Sequence, residues 1–345
     1  MSNPLAVLRV FALVLLVFAL TMLVPAAVSG YGQDSAAGAF QFGCAITFAS
    51  AMLLWLLTRR HVDELRVRDG FLLVSLVWVL VPAFAAVPLL HFFPAMSFTD
   101  AYFEAVSGLT TTGATVVEGL DTLPFSINLW RAMMVFLGGM GLIVLAVAIL
   151  PLLGVGGRQL FSAESPGPIK ETKLTPRMAQ TAKGLWLIYL ALAVACTLGY
   201  VWAGMGWGDA LVHMLTTLGL GGFSSHDASY AFFNSPRVEA VAIVFMTLAG
   251  MNFATHFMAV QRRSLSFYWI DPEIRCYVGV MYASVLGIAL YLWWAGTFPD
   301  FLTALRFSAF NTVSIATTTG FANTDYAQWP FFAPLWMLFL CSFVT

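Results

Sequence analysis

The chain has 345 residues, of which 60% are hydrophobic and only 10% charged, and its formal net charge is −1. Soluble domains carry about 25% charged residues. A water-soluble enzyme of this length could not bury so much apolar surface, so the composition excludes that class. Its basic residues form no sizeable patch, which also excludes a nucleic-acid-binding protein. The composition instead predicts an all-α protein that crosses a membrane several times.

Seven apolar runs approach the roughly 20 residues that a helix needs to cross a bilayer. The first run is too long for a signal peptide and lacks a clear small-x-small cleavage site after it, so we expect it to be retained. An eighth run, 331–345, is too short to span. The seven runs are 5–28, 40–57, 71–90, 129–150, 185–202, 238–260 and 277–294.

Basic residues are distributed unevenly between the two sides that alternating spans define. Arg9 and the segments 58–69, 158–183 and 262–275 hold 13 of the 16 lysines and arginines, all on one side. By the positive-inside rule, the N-terminus and these segments are cytoplasmic. The opposite side collects 10 of the 17 carboxylates, a distribution that attracts cations to that face.

A short apolar helix followed by a glycine-centred loop occurs three times between spans. A glycine stands thirteen residues after the start of each motif, at Gly113, Gly222 and Gly320, which we call the pivot glycines of the first, second and third loops. These helices are too short to cross, which predicts re-entrant segments. Non-helical backbone survives at membrane depth only where it is buried in protein or lines water.

Glycine adopts positive φ readily, so each loop can turn successive carbonyls in one direction. A ring of such carbonyls replaces the water around a desolvated alkali cation. One Gly-Thr loop could be a plain tight turn, but three at matching positions indicate an ion-selective filter for potassium.

The loops TTTGAT, GLGGFSSHD and TTTGFANTD, the two extra N-terminal helices, GGMG at 138–141 and FMTLAGMNFATHF at 245–257 resemble the Trk/Ktr/HKT potassium transporters, most closely the bacterial TrkH branch. This resemblance implies helix–pore helix–helix repeats around a pseudo-fourfold pore. It also implies potassium as the transported ion without an organic cofactor, a homodimer, a cytosolic nucleotide-binding regulatory subunit and a place in the bacterial inner membrane.

The same resemblance implies that backbone carbonyls of the three loops bind potassium. Leu220 departs from the family, which more often has a small hydroxyl residue there, so a supporting hydroxyl contact is lost. The implied carbonyl ligands are Thr111, Thr112, Leu220, Gly221, Thr318 and Thr319, with Gly113, Gly222 and Gly320 as pivots.

The resemblance also divides the chain into segments. Because three repeats leave a fourfold pore open on one side, we expect a truncated version of a longer transporter, without the fourth repeat. A non-conducting fragment or membrane scaffold that keeps the repeat fold is the alternative. The segments are two N-terminal helices and a cytoplasmic loop (1–69), repeat 1 (70–150), a cytoplasmic connector (151–183), repeat 2 (184–261) and repeat 3 with an incomplete second helix (262–345).

The histidines and arginines near the loops are isolated in sequence, which favours a structural role over metal binding or catalysis. His213, His226 and His256 lie in no HExxH or HxH motif, and we predict that His226 supports the outer mouth of the pore rather than a metal. Three arginines are expected to pair with outer carboxylates, with reduced cation occupancy as the alternative: Arg131, Arg237 and Arg306. These patterns predict a transporter and not an enzyme.

Overall fold

The computed structural model describes residues 4–62, 67–141 and 178–344. In this part of the chain, five helical segments are long and apolar enough to cross a membrane. Together they confirm the all-α membrane fold that the composition predicts. These segments are Pro4–Gly32, Ala37–Thr58, Arg68–Phe92, Lys183–Ala203 and Pro272–Trp294.

The chain divides into two compact units, and the first loop is shared between them. The first unit comprises Met1–Thr110, Thr115–Val117 and Leu123–Trp186. The second comprises Thr111–Ala114, Glu118–Thr122 and Leu187–Thr345. The pivot of the first loop therefore belongs to the unit that contains the other two loops.

Six helices and one π-helical turn make up the described part of the first unit before residue 142. The predicted run 129–150 coincides with the last helix and the turn up to residue 141, and its remainder lies outside the described residues. The elements are α1 (Pro4–Thr21), α2 (Leu23–Gly32), α3 (Ala37–Thr58), α4 (Val67–Phe92), α5 (Phe98–Leu109), α6 (Phe125–Phe136) and the turn Leu137–Gly141.

An aromatic core holds α6 against the N-terminal helices. Trp130 is fully buried, with ring centroids 5.8 Å from Phe18 and 6.1 Å from Phe40. Its indole nitrogen donates to the Ala85 carbonyl on α4 at 3.1 Å, which satisfies the polar end of the buried ring. The two extra N-terminal helices thus pack on the first repeat as part of one hydrophobic core.

The remaining described residues include eight α-helices. The predicted runs 185–202 and 277–294 coincide with the first and sixth of them, and the eighth is a 13-residue helix in the run at 331–345. The helices are α7 (Met178–Ala203), α8 (Trp207–Leu218), α9 (Pro236–Ala249), α10 (Phe253–Arg262), α11 (Ser266–Ile270), α12 (Pro272–Trp294), α13 (Phe301–Ala316) and α14 (Phe332–Val344).

The prediction of one continuous span at 238–260 is wrong, because the run is interrupted after Gly250. At the interruption, the Tyr277 hydroxyl donates to the Thr247 carbonyl at 3.1 Å, and His256 Nε2 donates to the Leu248 carbonyl at 2.9 Å. These donors replace backbone N–H groups that a continuing helix would supply. A side chain at Gly250 would also meet the Tyr277 hydroxyl at 2.5 Å. The break is therefore held by tertiary contacts.

Substituting Tyr277 with phenylalanine is expected to lower the free energy of unfolding by about 1–3 kcal/mol, because the Thr247 carbonyl loses its side-chain donor. Tyr282→Phe is the matched control on the same helix. Its hydroxyl contacts the Thr247 hydroxyl, which already donates to the Ile243 carbonyl, so a smaller loss is expected. Denaturation of the purified proteins in detergent measures both, and equal losses would contradict this account of the break.

Candidate ion-binding site

The three loops share one backbone conformation. Helices α5, α8 and α13 each end at a C-cap residue, and the residue after each cap has a positive φ: Thr111 (56°), Leu220 (52°) and Thr318 (59°). Two residues later each pivot glycine has a positive φ: Gly113 (76°), Gly222 (66°) and Gly320 (87°). The sequence repeat therefore corresponds to a repeat in conformation.

The second and third loops leave their helices through the same hydrogen-bond motif. In the second loop, the N–H of Gly221 donates to the Thr216 carbonyl at 3.1 Å and that of Leu220 to the Thr217 carbonyl at 3.3 Å. This pair of bonds defines a Schellman motif, which commonly closes a helix through a left-handed residue. The third loop repeats it with matching bonds, Thr319 to Ser314 (2.8 Å) and Thr318 to Ile315 (2.9 Å).

The Schellman motif fixes the direction of the loop carbonyls. N–H and C=O point in opposite directions across a planar trans peptide. The N–H groups of Gly221 and Thr319 point back to the helices, so the carbonyls of Leu220 and Thr318 point away from them. The N–H of Gly320 also bonds the Ser314 carbonyl, at 3.3 Å, which directs the Thr319 carbonyl away in the same manner.

This geometry places two β-branched residues in the left-handed region, where they are genuine outliers. Thr111 and Thr318 each carry a strain on the order of 1–3 kcal/mol, which persists only where surrounding contacts determine the conformation. Such strain clusters at ligand-binding segments, and here it occurs at the same position of the repeat.

The loops also approach one another closely within the second unit. A Cβ atom placed on Gly113 would lie closer than 3.0 Å to the Gly221 carbonyl oxygen and 3.6 Å from that of Thr319. A Cβ atom on Gly222 would lie closer than 3.0 Å to the Thr319 oxygen, whereas one on Gly320 would meet nothing within 4 Å. The Gly221 oxygen of the second loop thus lies against Gly113 of the first, and the Thr319 oxygen of the third loop lies against Gly222 of the second.

Three polar residues that the sequence patterns did not assign to the site lie behind the loops. Glu104, His213 and Asn311 each precede a pivot glycine by nine residues, and each is fully buried. The side chain of each contacts the segment that follows its own pivot. The constant nine-residue spacing is the signal that could have identified them.

His226 links the second loop to neighbouring segments. Its Nδ1 lies 2.5 Å from Asp121 Oδ1, and its Nε2 lies 3.3 Å from Asp209 Oδ1. The hydrogen bond from His226 holds the pKa of Asp121 below its usual value. The Asp227 carboxylate accepts from the Leu120 N–H at 3.1 Å, which joins the same two segments as the contact between His226 and Asp121. These contacts agree with the predicted supporting role of His226.

Two of the predicted arginine pairs are confirmed. Arg131 Nε lies 2.7 Å from a Glu104 carboxylate oxygen, and both side chains are at most 1% exposed. Arg306 lies 2.6 Å from Glu239 and also donates to the Asn234 side chain at 2.9 Å. The first pair joins α5 to α6, on either side of the first loop. The second pair joins α13, before the third loop, to α9, after the second loop.

Comparison with known proteins places the chain in a family. The family model described as TrkH, cation transport protein, matches residues 37–344. The chain belongs to the TrkH family. The Trk system potassium uptake protein TrkH of Salmonella typhimurium is 45% identical over 98% of this chain and 70% of its own length. TrkH of Escherichia coli K12 is 44% identical over the same shares.

A solved structure agrees with this assignment to the TrkH family. The crystal structure of the potassium transporter TrkH from Vibrio parahaemolyticus matches with a TM-score of 0.86 at 40% sequence identity. The match covers 98% of this chain and 69% of that one. The family assignment therefore rests on sequence and fold together.

Proposed function

We propose that this chain provides three repeats of the potassium-conducting pore of a Trk-type uptake system in the bacterial inner membrane. The observation that carries the proposal is the convergence of three loops with positive φ at the same two positions, with the Gly221 and Thr319 carbonyls against the pivots of neighbouring loops. Relatives over 98% of the chain are named potassium uptake proteins.

The loops bind potassium by replacing its water with backbone oxygens. We assign this role to the carbonyls of Thr111, Thr112, Leu220, Gly221, Thr318 and Thr319, with Gly113, Gly222 and Gly320 as pivots. Each loop directly follows the C-terminal end of a helix, whose partial negative charge favours a cation. Passage then requires that each site bind weakly enough for the ion to leave.

Leu220 is compatible with this role, because the ligand is its carbonyl. The equivalent Thr318 hydroxyl donates to the Thr317 carbonyl at 2.7 Å, a contact that leucine cannot make. The Schellman bonds, which the second loop shares with the third, hold the Leu220 peptide plane without a side-chain donor.

We also propose an assembly and an orientation for the chain. The chain works as a homodimer with a cytosolic nucleotide-binding regulatory subunit, and the basic connector 151–183 faces the cytosol with the N-terminus. The predicted repeat boundaries at 70–150, 184–261 and 262–345 place one loop in each repeat. Support for a multicomponent system comes from relatives named as parts of a Trk system.

The proposal is tested with the full-length gene product in a strain that lacks its own potassium uptake. Restored growth at low potassium, together with potassium-selective flux into vesicles containing the purified protein, would support it. Stable, folded protein in the membrane without flux under either condition would refute it.

The orientation predicts the labelling of Pro168→Cys in a version whose four native cysteines are replaced by alanine. Position 168 lies outside the described residues, in the segment assigned to the cytosol. A membrane-impermeant thiol reagent is expected to label it only after the cells are opened. Ala228→Cys, in the exposed segment after the second loop, is the control that should react in intact cells. The reverse pattern would invert the proposed orientation.

A further inference from the structure

Helices α5, α8 and α13, which precede the three loops, each carry a buried polar residue at the same position relative to the pivot. Glu104, His213 and Asn311 lie nine residues before their pivots and have no exposed surface. Buried polar groups are costly unless they are hydrogen-bonded, so a polar residue kept at this depth in each repeat has specific partners. Those partners lie two or three residues after the pivot in every case.

Glu104 holds the segment after the first loop through its carboxylate. Its oxygens accept from the Thr115 hydroxyl at 2.9 Å and from the Val116 N–H at 3.0 Å. Arg131 neutralises the carboxylate at 2.7 Å and also donates to the Thr115 hydroxyl at 2.9 Å. The segment is therefore held by charge-assisted hydrogen bonds, which are stronger than neutral ones.

In the second loop, His213 holds the segment after the pivot through hydrogen bonds of its neutral imidazole ring. Its Nδ1 donates to the Asp209 carbonyl at 2.9 Å, since a carbonyl only accepts. This leaves Nε2 as the acceptor for the Ser224 hydroxyl at 2.9 Å, and Ser224 Oγ in turn accepts from the His226 N–H at 3.1 Å. The hydrogen bonds thus run in one direction from the loop into the helix.

Asn311 uses an amide in the third loop. Its Nδ2 donates to the Asn323 side-chain oxygen at 2.6 Å and to the Phe307 carbonyl at 2.9 Å. One turn further along the same helix, the Ser314 hydroxyl donates to the Phe321 carbonyl at 2.7 Å, directly after the pivot. The functional group differs from those of Glu104 and His213, but the contact again joins the same position of the helix to the segment after the pivot.

We infer that Glu104, His213 and Asn311 are positioning residues that set the ion selectivity of the loops. Each fixes the far end of a loop whose near end continues from its helix, through Schellman bonds in the second and third loops, so the carbonyls between the two ends cannot relax around a different ion. This inference rests on the proposed function. The three contacts contribute separately, because each repeat uses its own side-chain pair.

The test removes the loop side of each contact and leaves the helix intact. Thr115→Val, Ser224→Ala and Asn323→Leu are introduced into the full-length gene product, and potassium uptake into vesicles is measured. Each is expected to raise the KM for potassium about tenfold, the factor that corresponds to one buried hydrogen bond, and to lower the preference for potassium over sodium. Thr115→Ser and Ser224→Thr, which keep the hydroxyl, should restore both values.

Ser308→Ala is the matched control, since its buried hydroxyl on α13 donates to the Val285 carbonyl on α12 and not to a loop. It should leave KM and selectivity unchanged. The inference is overturned if the loop variants lower the Tm but keep wild-type KM and selectivity, or if Ser308→Ala alters selectivity as they do. Vesicles that contain the wild-type protein are measured in the same assay. Absence of potassium flux in them would refute the proposed function itself, independently of the loop variants.

Discussion

Gly222→Ala is expected to reduce potassium uptake at least about tenfold. The new Cβ would meet the Thr319 carbonyl oxygen closer than 3.0 Å, so the third loop must move or the second must leave its positive φ. A displacement of these carbonyls that weakens ion binding by about 1.4 kcal/mol or more corresponds to a factor of about ten or more in affinity. Gly113→Ala should behave alike, because its Cβ would meet the Gly221 carbonyl. Uptake by purified protein in vesicles measures both.

Two other glycines separate steric conflict from backbone strain. Gly320 has a φ of 87°, but a Cβ atom added there would meet nothing within 4 Å, so Gly320→Ala should have a smaller effect than Gly222→Ala. Gly296 has a φ of 70° in the turn after α12 and is equally open, so Gly296→Ala should leave uptake unchanged. Equal losses in all four variants would show that backbone strain, and not the carbonyl geometry, is responsible.

Arg131→Met is expected to destabilise the protein by about 3–5 kcal/mol. The substitution leaves the Glu104 carboxylate buried without its cation, the costly way to break a buried ion pair. The double variant Glu104→Gln with Arg131→Met should recover much of that loss, because no buried charge remains uncompensated. Denaturation of the purified proteins in detergent measures the difference.

The Arg306–Glu239 pair provides the comparison. Its arginine side chain is 27% exposed, so water partly screens the charge and Arg306→Met should cost less than Arg131→Met. If the two variants lose equal stability, burial does not decide the contribution of these pairs. A double variant of the first pair that is no more stable than Arg131→Met would contradict the charge argument itself.

The helices and the loop repeat could be predicted because both depend on local sequence. Apolar length marks the spans, and glycine marks the positive φ at Gly113, Gly222 and Gly320. The positive φ of Thr111 and Thr318 could not be predicted, since β-branched residues disfavour it and only contacts formed in the folded protein impose it, such as the Schellman bonds of the third loop.

Features that depend on distant partners could not be predicted from the sequence. The break at Gly250 is held by side-chain donors from other helices, the Tyr277 hydroxyl and the His256 ring. The nine-residue spacing marks Glu104 and His213 in the sequence, but their partners cannot be predicted from it. Their contacts with Thr115 and Ser224 exist only once the loop has turned back along its helix.

We propose that loop carbonyls, and not side-chain carboxylates, bind the transported ion. Crystals of the full-length gene product grown in potassium and exchanged into thallium would locate the ion by anomalous scattering. The account predicts peaks among the backbone oxygens of the three loops, with the Gly221 and Thr319 carbonyls as ligands. Peaks confined to the carboxylates of Asp121 and Asp209, with none at the loop carbonyls, would contradict it.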